Sequence, residues 1–281
     1  MKKISYSISL FLSFLLLFSS CERESSNGIA TYINPPKDTV KFGYRLATLY
    51  YTDTESKETS FDFNLEISNV YAWKSILINY EKSNSIKKYF PIYDIAGNIT
   101  SLLDEESVGL ENIEIEYKII PPSNVKLVST LKYYRVNDPF ALIFNYDSVN
   151  LKSIERRYLV RETGEIGGII ESAFFCSGLD LGNCSDSTST VEYQYGQFFN
   201  NLYHSNELLP FILLLKNPNQ TTLLDILPDL PLYFSRHYAT SLIRPNSGTF
   251  ELGLNPNFEP SFFYFKNASF GLTQGYNFSM R

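Results

Sequence analysis

Histidine is nearly missing from this chain of 281 residues: there are two, His204 and His237, beside one tryptophan, two methionines and three cysteines. So few imidazoles and thiols leave little from which to build a catalytic or metal centre. No His-Glu-x-x-His pair and no Gly-x-Ser-x-Gly elbow occurs. A serine triad can assemble from distant residues, but the two histidines fall in different predicted elements, and each reads as a surface or packing residue. Basic clusters are lacking as well. With 24 Lys and Arg against 30 Asp and Glu, and a net charge of −6, nothing tracks a phosphate backbone, so nucleic acid is excluded as a partner. Beyond the first 20 residues no apolar run is long enough to span a bilayer.

Three clusters invite chemistry and decline it. Gly164-Glu165-Ile166-Gly167-Gly168 lacks the Lys-Ser/Thr of a phosphate loop and reads as a turn between strands. Asp180, Asn183 and Asp186 offer oxygens to calcium without the alternating acids, central Gly and terminal Glu of an EF-hand. Asp104-Glu105-Glu106 reads as solvated charge on a short helix within 98–108, not as a glycosidase pair. No catalytic residue, metal ligand or cofactor is expected.

What the chain does have is aromatic side chains and a period of two. Tyr and Phe number 21 and 22, a composition that favours strands. Phe61, Phe63 and Leu65 alternate with Asp62, Asn64 and Glu66, and Ile113, Ile115 and Tyr117 with Glu114, Glu116 and Lys118, the pattern of half-buried strands. Further strands are expected over 40–51, 73–80, 89–95, 125–136, 140–146, 154–161, 169–175, 232–243, 249–254 and 261–266. A final strand carries Phe270, Leu272, Tyr276, Phe278 and Met280 on one face. Phe198, Phe199, Leu202 and Tyr203 have helical spacing. Thr222 can cap a short helix of Leu223, Leu224, Ile226 and Leu227, stopped by Pro228. Leu208–Phe234 is the richest apolar stretch, read as core with an exposed partner surface as the alternative.

The N-terminus runs Met1-Lys2-Lys3, then apolar residues from Ile4 to Phe18, then Ser19-Ser20-Cys21. Fifteen residues at ~1.5 Å rise make about 22 Å of helix, short of a ~30 Å hydrocarbon core. This order is that of an export signal ending at a lipidation site, and it resembles the lipobox of bacterial lipoproteins. Phe18 stands where Leu is usual, a relaxed form similar to that of spirochaete lipoproteins. The resemblance implies that residues 1–20 are removed, that Cys21 is acylated, and that the protein is held at the cell envelope by its lipid. Glu22, rather than Asp, after the cysteine favours the outer membrane. Cys176 and Cys184 enclose a glycine-containing loop, and in an exported chain such a pair is expected to be disulfide-bonded, worth about 2–3 kcal/mol in the chain-entropy model.

The expected fold is mainly β. Residues 21–37 form a tether, 38–152 an antiparallel β-sandwich, and 153–281 a second mostly β domain with one or two short helices and the disulfide loop. The first body weakly resembles a fibronectin-type-III or immunoglobulin-like module, with Trp73 as its core tryptophan and Tyr133-Tyr134-Arg135-Val136 on a late strand. Alternating aromatics near the C-terminus are also a habit of the closing strand of outer-membrane barrels. That reading is set aside because the chain ends Ser279-Met280-Arg281 rather than on an aromatic. The expected role is non-catalytic binding of a protein or glycan of the host or the envelope. The alternatives are a structural or assembly lipoprotein and a secreted-type hydrolase.

Overall fold

Alternating apolar and polar side chains dictate strands, and the computed structural model turns nearly every such stretch into one. It describes residues 42–280 apart from 54–57, 67–71, 106–111, 177, 179, 184–188, 204, 206, 215–221, 258, 268 and 270–272. A helical turn α1 (Phe42–Arg45) leads into β1 (Leu46–Asp53), β2 (Thr59–Glu66), β3 (Ala72–Tyr80), β4 (Ser85–Tyr93) and β5 (Ile99–Asp104). Then come β6 (Ile113–Ile120), β7 (Val125–Tyr133), β8 (Phe140–Asp147), β9 (Asn150–Val160) and β10 (Glu165–Phe174). β11 (Glu192–Phe199) precedes a helical segment of α2 (Leu209–Leu214), α3 (Leu223–Ile226), a 3-10 turn (Leu227–Asp229) and α4 (Pro231–Phe234). β12 (His237–Arg244), β13 (Gly248–Leu254), β14 (Pro260–Asn267) and β15 (Thr273–Met280) complete the chain.

These strands form one 15-stranded sheet in which each pairs with its neighbour in sequence, except that β1 pairs with β15 and the edges are β10 and β11. The ladders are antiparallel throughout. Short turns keep neighbours adjacent. Asp94 accepts the backbone N–H groups of Ala96 and Asn98 at 2.9 Å each and closes the β4–β5 turn. Asn84, Asn124 and Gly164 take positive φ at the ends of four-residue turns, where Asn and Gly carry the least strain.

The mainly β, antiparallel expectation holds. Its division into a sandwich and a second domain does not, because the hydrogen-bond ladder runs straight through residue 152. β8 pairs with β9 from Phe140↔Tyr158 to Asp147↔Asn150, and Lys41–Arg281 form one unit. Periodicity fixes which residues face inward, and it is silent on which strands pair. Three local expectations also change. Within the stretch 98–108, Ile99–Asp104 is strand β5, not a helix, because its backbone pairs with β4 and β6, while Glu106 lies outside the described residues. Phe198 and Phe199 end strand β11 instead of opening a helix. Residues 231–234 form α4 before β12 begins, since Pro231 suits the first turn of a helix.

One face of the sheet is apolar and curls around the helical segment. Tyr133 of β7 donates to the Pro210 carbonyl at 3.4 Å, and Tyr193 of β11 to the Leu227 carbonyl at 2.7 Å. Phe234 lies against Phe144 of β8, and Glu171 of β10 accepts the Leu223 N–H at 2.7 Å. The same short segment thus touches both flanks of the strand order, and the edges come close: the Thr190 N–H donates to the Phe174 carbonyl at 3.2 Å. Trp73 is 1% exposed, stacked on Phe63 and edge-on to Tyr44, so it is a core tryptophan within the single sheet. Burial raises the hydroxyl pKa of Tyr93 to about 12, and those of Tyr44 and Tyr117 further still, with the Glu207 carboxylate adding to each.

The other face is mixed: exposed apolar side chains such as Ile86, Ile92, Leu103, Tyr158 and Val160 stand among charged ones. It carries the ion pairs Lys132–Glu116 at 2.7 Å, Arg244–Glu192 at 2.9 Å and Lys266–Glu251 at 2.6 Å. A membrane barrel presents apolar side chains outward, and each charge at mid-bilayer costs ~2–4 kcal/mol. The connectivity here is up-and-down, as in such barrels, and the outer face carries both apolar side chains and ion pairs. The inner face holds the chain's own helical segment.

Asn200 ties the inner segment together. Its buried Nδ2 lies 2.9–3.1 Å from the carbonyls of Pro231, Leu232 and Ser235, and its Oδ1 accepts the Leu202 N–H at 2.9 Å. Asn200→Ala leaves these groups unsatisfied, at about 1–3 kcal/mol. Urea unfolding should show that loss in the midpoint. An unchanged midpoint would mean that water replaces the amide.

Candidate binding surface on the outer face

The residues singled out in the sequence are dispersed in the structure. Cys21, Cys184, Asp186 and His204 lie outside the described residues. Cys176 is buried, its Sγ 2.9 Å from Ser189 Oγ. Gly164 closes the β9–β10 turn with φ +69°, as expected of a turn rather than a phosphate loop. Thr222 precedes α3, its backbone N–H 3.2 Å from the Asp225 carboxylate, and the helix passes into the 3-10 turn at Leu227-Pro228. Within the 208–234 stretch, Leu208, Leu213, Ile226, Leu230 and Leu232 are buried and Leu224 is exposed, so its described part is mostly core; residues 215–221 lie outside the described residues.

His237 has a partner that the sequence did not suggest. Asp180 accepts its backbone N–H at 2.9 Å and lies 2.8 Å from its Nδ1, so the carboxylate is occupied in holding the start of β12. That is half of a triad by composition. Among the described residues no hydroxyl hydrogen-bonds the other ring nitrogen, and the exposed Phe199 ring packs 5.0 Å from the imidazole. The geometry is that of a structural latch.

A different surface has the makings of a binding site. Because inner and outer residues alternate, burying Tyr51, Phe61, Ile78, Tyr276 and Phe263 turns Tyr50, Ser60, Asn79, Asn277 and Phe262 outward. The register aligns these five in one row across five strands: Phe262↔Asn277, Asn277↔Tyr50, Tyr50↔Ser60 and Ser60↔Asn79. Beside the β1–β3 part of the row lies an open concavity lined by Tyr50, Ser60, Asn79, Glu58 and Glu81.

Two glycines flatten the aromatic end. A Cβ built on Gly253, which pairs with Phe262, would fall 2.2 Å from a Phe262 ring carbon; one on Gly275 would fall 2.2 Å from the Phe263 carbonyl oxygen and 2.4 Å from a Tyr264 ring carbon. The rings therefore lie across the neighbouring strands, stacked at 5.3 Å and 24°. Tyr264 donates to Asn277 Oδ1 at 2.6 Å, which orients that amide with its NH2 available. Glu81 accepts the Glu58 N–H at 3.3 Å, and the Glu81 N–H donates to the Glu58 carbonyl at 3.1 Å. Among the described residues, no protein group hydrogen-bonds the Tyr50 hydroxyl, Ser60 Oγ, the Asn79 amide or the Glu58 carboxylate.

Sequence reasoning missed this row. Its one local signal is Phe262-Phe263-Tyr264-Phe265, four consecutive rings of which a strand must turn two outward.

No family model matches the chain, and no curated protein matches it. Among solved structures it is similar to a porin-like protein from Bacteroides uniformis ATCC 8492. The match has 8% identity and a TM-score of 0.37, over 85% of this chain and 97% of that one. A likeness so distant gives no residue correspondence.

Gly253→Ala tests the flattening of the platform. The substituted protein should fold with a loss of no more than about 0.5–1 kcal/mol, and a crystal structure should show the Phe262 ring swung off β13. A ring that stays in place would show that this contact does not set its pose.

Proposed function

We propose that the protein is exported, acylated on Cys21 and held at the cell envelope, most simply the outer membrane, where it binds a host or envelope macromolecule without catalysing a reaction. The observation that carries the binding part is the outer row: rings beside polar groups, of which the Tyr50 hydroxyl, Ser60 Oγ and the Asn79 amide have no hydrogen-bond partner among the described residues. The anchoring part rests on the Lys-Lys, apolar, Ser-Ser-Cys order. The disulfide between Cys176 and Cys184 belongs to the same proposal and is supported by the burial of Cys176 and by the oxidising compartment that export implies.

Mass spectrometry of protein extracted from membranes should find an acylated cysteine at the N-terminus, and thiol alkylation without reductant should label neither Cys176 nor Cys184. An intact Met1, or rapid labelling of both thiols in folded protein, contradicts the corresponding part. For binding, lipid-free protein should sediment with isolated cell envelopes, and the Tyr50→Ala, Asn79→Ala pair should lower the bound fraction several-fold without altering the melt. Equal sedimentation of the two proteins would rule out this face.

A further inference from the structure

We infer that the outer row is a carbohydrate site, and that its ligand is an uncharged glycan chain laid across β14, β15, β1, β2 and β3. This rests on the binding reading above and names its ligand class.

Three observations lead there. Phe262 and Tyr264 lie across adjacent strands over glycines, and Tyr50 stands two strands from Phe262 in the same row. Partly exposed aromatic faces accept the C–H side of a pyranose ring. Between and beside the rings stand groups that suit vicinal hydroxyls: the amides of Asn277 and Asn79, the Ser60 hydroxyl, and the carboxylates of Glu58 and Glu81. An amide both donates and accepts, and a carboxylate takes two hydroxyl protons. The third observation is dimension. Four strand spacings separate Phe262 from Asn79, about 19 Å, long enough for several sugar rings in file.

Charge and composition narrow the class. Glu58 and Glu81 at the concave end, in a chain of net charge −6, repel sulfated or uronic sugars. The core of a protein–protein interface is depleted of Glu and Ser and forms a continuous apolar patch, whereas here polar groups interrupt the rings. A protein partner therefore fits less well than a glycan.

Saturation-transfer NMR and calorimetry with maltohexaose, cellohexaose, mannohexaose and chitohexaose provide the test, with a heparin hexasaccharide as the acidic control. At least one neutral hexasaccharide should bind, with saturation reaching its ring C–H protons. Tyr50→Ala should weaken binding by about tenfold or more, in the range of the ~1–3 kcal/mol measured for flat rings stacked on aromatic side chains. Tyr50→Phe should keep most of the affinity. Asn79→Ala, on the same water-facing row, should weaken binding several-fold and serves if Tyr50→Ala fails to fold.

Binding of heparin alone overturns the inference, as does neutral-sugar binding that survives both substitutions. If no hexasaccharide binds at millimolar concentration, the glycan assignment falls. The broader reading then stands only if the same variants still lose sedimentation with envelopes, which would point to a protein partner.

Discussion

Everything in this structure depends on how the apolar face of a 15-stranded sheet is kept from water. A sheet so wide exposes a large hydrophobic area unless it closes on itself or wraps something. Here it wraps the helical segment of its own chain, whose buried leucines Leu208, Leu213, Leu230 and Leu232 fill the concave side and whose backbone groups are met by Tyr133, Tyr193, Glu171 and Asn200. With the interior satisfied in this way, the outer face is free to carry charged side chains beside apolar ones.

The candidate site follows from the same arrangement. The outer face carries no packing duty at Tyr50, Ser60 and Asn79, so its side chains are selected by whatever meets them from solvent. The glycine partners of Phe262 and Tyr264 fit this view. Glycine in a strand costs backbone entropy and packs nothing, and at Gly253 and Gly275 its benefit is room for a ring lying flat. The His237–Asp180 pair, by contrast, is an internal fastening between Asp180 and β12, with Tyr195 and Ser235 completing the junction through Leu181.

Strand content was largely legible in the sequence, because alternation such as Ile113–Glu114–Ile115–Glu116 has one physical solution. Architecture was not. The same alternation serves a two-sheet sandwich and a single curled sheet, and the difference lies in long-range pairings such as β1 with β15 that no local pattern encodes. The misread segments have local causes. Phe198, Phe199, Leu202 and Tyr203 mimic a helical face, but three register irregularities along β11 spread them over a strand end and a turn. The capped helix at Thr222 was readable because its signal is contained in seven residues. The outer row was beyond reach, since its five members come from β14, β15, β1, β2 and β3, and only the register brings them together.

The most direct test of the account is the phase behaviour of the body without its lipid. Residues 22–281, made without the signal and Cys21, should stay monodisperse in detergent-free buffer and partition into the aqueous phase of Triton X-114, because on the proposed reading the lipid, and not the outer face, holds the body at the membrane. Partition into the detergent phase, or a requirement for micelles to stay in solution, would mean that the outer face itself seats in the membrane, and the proposed separation of a water-facing binding body from a lipid anchor would fail.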